Sequence, residues 1–259
     1  MSNTFNVNKK SVLVLDFDGV VCDSTDECLV TSWNAWEDFN NRNFFRTKIN
    51  EFSDSEKLQF RPFRYYVRGA GEYYILRRLI AEKKTDSINS FEDFNSLGKD
   101  WEEEVNEFKS FMFASREKLR NRSLDEWMGL HYIYSDMITI IKRSLEQGNI
   151  YIATLKDIDS VKVILEREGI FFPEDKIFHQ GIIGTKLEAL EQIQILERVD
   201  KSDIFFFDDV VNHLLDPFKS GFKSFQTTWG NVPKDYIMAA SKKGIPLAKM
   251  NDLKDFYLK

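Results

Sequence analysis

Four short apolar runs punctuate the chain: Ser11–Leu15 (SVLVL), Ile150–Thr154 (IYIAT), Asp203–Phe207 (DIFFF) and Gly221–Thr227 (GFKSFQT). Each is rich in β-branched or aromatic residues and ends in polar residues or glycine. Short apolar runs without clean alternation predict strands buried on both faces. Helical patterns separate the later ones. Tyr134–Gln147 carries Met137, Ile138, Ile141 and Leu145 at helical spacing and stops at Gly148. Asp157–Glu168 carries Val161, Ile164 and Leu165 and stops at Gly169. Lys186–Arg198 carries Leu187, Leu190, Ile193 and Leu196 or its neighbours. Strands alternating with helices of this length predict an α/β fold with a mainly parallel sheet.

The stretch between the first and second runs differs. From Ser24 to Tyr132 no strand pattern is visible. Leu29, Trp33, Trp36 and Asn40 trace one face of a helix, and Ala70–Lys83 and Trp101–Leu119 have helical periodicity. Ser123–Glu126 (SLDE) is a capping box ahead of a helix, and Ser90–Asp93 (SFED) is its aspartate variant. The predicted organisation is a discontinuous core, residues 1–23 and 133–259, interrupted by a helical insert over 24–132.

Composition narrows the function classes. The charge is −6, from 36 Lys+Arg against 42 Asp+Glu, so there is no basic footprint for nucleic acid. No apolar stretch is long enough to span a membrane. The first apolar run is broken by Asp16 and Asp18, which does not suit a signal peptide. Cys22 and Cys28 make no disulfide framework, and a reducing cytoplasm is the expected setting. His131, His179 and His213 are scattered without zinc-ligand spacing, and no role is assigned to any of them.

The candidate chemistry begins at Asp16 and Asp18, which end the first strand. Two residues apart on an extended chain, they point to the same side. The carboxyl ends of the strands are where open α/β sheets place ligands. Such a pair binds a divalent cation, or supplies a nucleophile and an acid/base. Taken alone, it reads rather as two solvated turn residues before Gly19.

The surroundings decide for chemistry. DFDGVVCDS resembles the first motif of the haloacid dehalogenase-like phosphatase superfamily, and three more elements of that family appear later in order. IYIATLKD resembles the second motif with Thr154, GIIGTKLEAL the third with Lys186, and IFFFDDVVNHL the fourth with Asp208 and Asp209. The resemblance covers Ser11–Ser24 and Ile133–Trp229. It implies a three-layer Rossmann-like core with an inserted helical cap. It also implies a Mg²⁺-dependent phosphatase acting on a small phosphorylated metabolite. Asp16 would be the nucleophile and Asp18 the general acid and then base. Thr154 would donate to a phosphoryl oxygen, and Lys186 would neutralise developing charge. Mg²⁺ would be held by Asp16, the backbone carbonyl of Asp18, and Asp208, with Asp209 acting through water, or with the last two exchanged. The fourth motif departs from the commonest form, since Phe207 stands where glycine is usual and Asn212 where a second aspartate is. Asn212 reads as a hydrogen-bond partner of a metal-bound water or as a helix N-terminal residue.

Asp18 favours phosphoryl chemistry over dehalogenation, because family dehalogenases lack this second aspartate. A phosphomutase is the alternative in mechanism. A non-catalytic binding module is the alternative in kind, and retention of both aspartates argues against it. In the insert, Arg61, Arg64 and Arg68 lie among Tyr65, Tyr66, Tyr73 and Tyr74. They read as a substrate clamp, with guanidinium forks for a carboxylate or second phosphate, or as an amphipathic segment. Lys156 reads as additional charge beside Thr154 or as a solvated lysine.

Overall fold

The apolar runs fold as strands, and two strands of two residues each join them at the sheet edges. A computed structural model of the chain describes Phe5 and residues 7–256. In chain order the sheet strands are β1 (Val12–Leu15), β2 (Ile150–Ala153), β3 (Ile177–Phe178), β4 (Ile204–Asp208), β5 (Lys223–Thr227) and β6 (Leu247–Ala248). All neighbours pair in parallel, in the order β3-β2-β1-β4-β5-β6. The chain moves outward from β1 to β3, then returns past β1 to β4 and continues the other way. Parallel strands joined through helices in this order are covered by helices on both faces. This burial explains why β1, β2 and β4 are apolar at nearly every position: all of their residues are buried.

The helices are α1 (Thr25–Phe39), α2 (Asp54–Phe60), α3 (Tyr73–Ala81), α4 (Phe91–Gly98), α5 (Glu102–Arg122), α6 (Leu124–Met128), α7 (Ser135–Gln147), α8 (Ile158–Arg167), α9 (Lys186–Glu197), α10 (Val211–Lys219) and α11 (Lys234–Lys242). The chain divides into two units, one over Met1–Asp23 and Ile133–Lys259, the other over Ser24–Tyr132.

In the core unit, five phenylalanines form one cluster. Phe205 and Phe207 alternate onto one face of β4, where Phe225 of β5 stacks on both, at 6.1 and 5.0 Å between ring centroids. Phe5 and Phe256 meet the same rings edge-on or tilted. Such ring pairs contribute about 0.5–1.5 kcal/mol each beyond their buried area. On α9 the buried face is Lys186, Ala189, Leu190 and Ile193. Leu196 and its neighbour Ile195, one of them expected to continue that face, are both exposed.

In the helical unit, α1 packs against α3 and α5. Trp36, Phe39, Tyr74 and Phe108 form its aromatic centre, with ring centroids 5.5–6.4 Å apart. A buried ion pair lies within it: Arg116 Nε donates to Glu27 Oε1 at 2.7 Å, and Thr31 donates to the same oxygen at 2.7 Å. Ser90 and Ser123 cap α4 and α6 by accepting the backbone N–H of Asp93 and Glu126. A further capping box, Ser53 with Glu56, starts α2, a helix that the periodicity does not predict. Gly71 meets α5 so closely that a Cβ there would stand 2.2 Å from the Val105 carbonyl oxygen.

Candidate functional site

The register of β1 and β4 builds the site. Leu15 pairs with Phe207, so the next residues, Asp16 and Asp208, stand side by side as the two strands end. The Asp16 N–H donates to the Phe207 carbonyl at 2.9 Å and fixes that alignment. The β1/β4 boundary is where strand order reverses, and such a switch point opens a crevice at the strands' carboxyl ends. Both carboxylates are buried there.

Lys186, the first residue of α9, reaches into this crevice. Thr185 caps the helix by accepting the Glu188 N–H at 3.1 Å, which fixes where Lys186 departs. Its ammonium donates to Asp16 Oδ1 at 2.5 Å and to the Ala153 carbonyl at 2.6 Å, and lies 3.4 Å from Asp208 Oδ2. His213, in the first turn of α10, places Nδ1 3.2 Å from both oxygens of Asp208. The Val210 N–H donates to Asp208 Oδ1 at 2.8 Å and pins the turn between β4 and α10.

A second group stands at the end of β2. Thr154 is buried, and its Oγ1 accepts the Lys156 N–H at 3.1 Å. A hydroxyl that accepts there keeps its own hydrogen for another acceptor. The Lys156 ammonium is fully buried and lies 3.2 Å from Asp18 Oδ1. The solvated reading of Lys156 is therefore wrong: the residue turns inward and meets the second aspartate of the first motif. Asp209 is buried beside Gly19, whose backbone has φ +88°. A Cβ on Gly19 would lie 2.2 Å from Asp209 Oδ2. Gln226 of β5 holds the Asp209 backbone by donating to its carbonyl at 2.7 Å.

The electrostatics arise from burial and from one cation shared between two carboxylates. Burial pushes the Asp16 carboxyl up to about 6; Lys186 opposes the rise and Asp208 adds to it. Burial acts on Asp208 in the same direction. There it is outweighed by His213 and Lys186, and by the hydrogen bonds from His213 and Val210, so Asp208 is held below the usual carboxylate range. Burial opposes the charge on Lys186, but the two aspartates outweigh it and hold the ammonium above its ordinary range. Asp16 thus carries an electrostatic deficit that one lysine does not fill.

That deficit and the donor set fit a divalent cation. Ligand atoms of Asp16, Asp208 and His213 lie within 4.8 Å of one another. Ligands about 2.1 Å from one octahedral ion stand about 3.0 Å apart when adjacent and about 4.2 Å apart when opposite. Of the residues expected from sequence, the structure joins Asp16, Lys186 and Asp208 in one cluster, and Asp18 to Lys156 at the end of β2 beside Thr154. Asp209 is not part of the three-residue ligand cluster among the described residues. His213, given no role from sequence, is part of it.

The three arginines lie in the helical unit and are engaged there. Arg61 pairs with Asp26 at 2.7 Å. Arg68 donates through its backbone and guanidinium to Glu72. Arg64 is buried, with its guanidinium over the Tyr65 and Tyr73 rings. The tyrosines beside them are buried too, with Tyr73 stacked on Phe60 and Tyr66 against Phe91 and Phe94.

No family model matches the sequence, and no curated protein matches it. Solved structures do match over nearly the whole chain. A candidate phosphoglycolate phosphatase from Lactobacillus delbrueckii subsp. bulgaricus is 14% identical, with TM-score 0.64 over 97% of this chain and 100% of that one. A haloacid dehalogenase-like family hydrolase from Streptococcus pneumoniae is 12% identical, with TM-score 0.60 over 95% and 96%. A HAD family hydrolase from Deinococcus radiodurans, solved with bound phosphate and sodium, is 12% identical, with TM-score 0.54 over 94% and 93%. Likeness at this identity speaks to architecture, and on that ground the chain has the fold of the haloacid dehalogenase-like hydrolases.

Proposed function

We propose that this chain is a phosphatase that hydrolyses a small phosphorylated metabolite through an aspartyl-phosphate on Asp16. The observation that carries the reading is the Asp16 carboxylate at the switch point, gripped by Lys186 at 2.5 Å with Asp208 alongside. Asp16 Oδ attacks phosphorus, and the P–O bond to the leaving group breaks. Asp18 gives its proton to the departing alkoxide. It then takes one from the water that attacks the phosphorus of the aspartyl-phosphate, releasing phosphate and restoring the Asp16 carboxylate. The Thr154 hydroxyl donates to a phosphoryl oxygen. Lys186 holds the nucleophile in place and offsets charge that builds on the phosphoryl group.

A divalent cation, Mg²⁺ by the family resemblance, would be held by Asp16 and Asp208. It would supply charge neutralisation between carboxylates and phosphate. The phosphate bound by the Deinococcus radiodurans relative agrees with this class of ligand. Among the described residues no helix is long and apolar enough to cross a membrane, and a small cytoplasmic metabolite is the substrate class we infer.

The test is turnover of a panel of phosphorylated metabolites by the full chain with added divalent cation and with EDTA. Wild type is expected to release phosphate from at least one ester. Asp16→Asn is expected to lose that activity by at least about a thousandfold with its circular dichroism unchanged. Folded wild type that hydrolyses no phosphoester, or an Asp16→Asn variant that retains turnover, refutes the reading.

A further inference from the structure

We propose that His213 is a direct nitrogen ligand to the divalent cation held by Asp16 and Asp208, which makes this a mixed nitrogen–oxygen site selective for Mn²⁺ or a later divalent ion over Mg²⁺. The inference rests on the cation-dependent phosphatase reading and concerns which ion that site is built for.

Three observations carry it. First, the fold gathers donor atoms of the three residues in one place. His213 Nδ1 lies 3.2 Å from each oxygen of Asp208, close to the roughly 3.0 Å between adjacent ligands of an octahedral ion. Ligand atoms of all three residues fall within 4.8 Å of one another. Second, Asp208 keeps two other partners when the imidazole turns to an ion. Its Oδ1 already accepts the Val210 N–H at 2.8 Å, and its Oδ2 lies 3.4 Å from the Lys186 ammonium. An imidazole equidistant from both oxygens adds a third donor to a carboxylate already served, whereas as a ligand it adds a function nothing else there provides. Third, the position is fixed by backbone. The His213 N–H donates to the Val210 carbonyl at 2.9 Å, and the Val210 N–H returns to Asp208. Strand end and helix start are thus tied together, and the side chain of His213 is only 15% exposed.

The donor atoms set the chemistry. Mg²⁺ takes oxygen ligands and is reluctant to shed water, whereas imidazole suits Mn²⁺, Fe²⁺, Co²⁺ and the later ions. A half-buried His beside two buried Asp therefore shifts selectivity away from Mg²⁺. Lys186 cannot ligate while protonated. It serves the remaining carboxylate charge, and the histidine completes the protein's share of the ligand set.

The experiment uses the full chain, stripped of metal and titrated with Mn²⁺. Pulsed electron paramagnetic resonance reads nitrogen coupled to the ion, and competition against Mn²⁺ gives the Mg²⁺ affinity. The chain has three histidines, so the signal is readily assigned with His131→Asn and His179→Asn as controls. The expected result is imidazole coupling in wild type and in both controls, and its loss in His213→Asn. Mn²⁺ affinity should fall roughly tenfold or more in that variant while Mg²⁺ affinity changes by less than about threefold. Absence of nitrogen coupling in Mn²⁺-loaded wild type overturns the proposal. So does coupling that survives His213→Asn, or an equal loss of both affinities, which would make His213 a positioning residue for Asp208. If His213→Asn does not fold, wild type made with heavy-nitrogen histidine must show an altered modulation; an unaltered one refutes ligation. The two readings fail separately: phosphatase activity without coupling removes only the nitrogen ligand, and coupling without turnover removes only the phosphatase.

Discussion

Gly19 offers the most direct test of how the backbone builds the site. It comes after Asp18, its φ of +88° lies in the left-handed region, and a Cβ there would sit 2.2 Å from Asp209 Oδ2 and 2.5 Å from its carboxyl carbon. Gly19→Ala therefore carries two costs. Holding a non-glycine residue at this φ costs about 1–3 kcal/mol. The overlap forces the Asp209 carboxylate aside, while Gln226 keeps its backbone in place, so the carboxylate loses its buried position at a further cost of about 1–3 kcal/mol. The expected destabilisation is therefore about 2–6 kcal/mol. It is to be read from urea unfolding of the full chain, tracking the core transition and requiring an unchanged m-value. Asp209→Ser shortens the opposing side chain, so the double variant separates the terms. It should recover the overlap cost and leave the dihedral cost. A Gly19→Ala variant within about 0.5 kcal/mol of wild type would refute the reasoning. Strict additivity in the double variant would show that the two residues do not collide.

Lys156→Met keeps the bulk of the side chain but removes the cation 3.2 Å from Asp18; turnover should fall roughly tenfold to a hundredfold with little change in KM, and an unchanged kcat would remove Lys156 from the site. Glu27→Ala leaves Arg116 buried without its carboxylate and should cost about 3–5 kcal/mol, whereas replacing both by apolar residues should cost far less; calorimetry of the single and double variants checks this, and equal losses would refute it. In EDTA, Asp16 binds its proton more tightly folded, at about 6, than at its ordinary 3.8. The folded state therefore holds more protons between these values, and stability contributed by this group falls as pH rises from about 4 to 6. Asp16→Asn should remove that part of the slope in urea melts, and a slope identical to wild type would count against the buried, charge-poor environment of Asp16.

The parallel core was legible because its strands are buried on both faces, and unbroken apolar runs are the signature of that burial. The edge strands β3 and β6 were not, since two residues cannot display a period. Helix α10 was hidden for a different reason. It starts at Val211 with no side-chain cap, the Asp208 carboxylate serving the turn instead, and it carries Pro217 inside. Without that helix His213 had no place in the fold. Its distance from Asp208 depends on how tightly strand turns into helix, which separation in sequence does not encode.

Lys156 is the more instructive miss, because the alternation that places the aspartates does not find it. Asp16 and Asp18 fall on one side of an extended chain end because they are two apart. On the adjacent parallel strand Leu15 pairs with Ile152, so a continued register would set Asp18 opposite Leu155 and turn Lys156 to the other face. Lys156 meets Asp18 at 3.2 Å because the chain leaves β2 after Ala153 in a turn, which the Thr154 hydroxyl closes by accepting the Lys156 N–H at 3.1 Å. Where the strand stops and that turn begins decides the direction of the ammonium, and the spacing of residue types does not encode it. The Lys156→Met measurement therefore tests a position set by the turn after the strand.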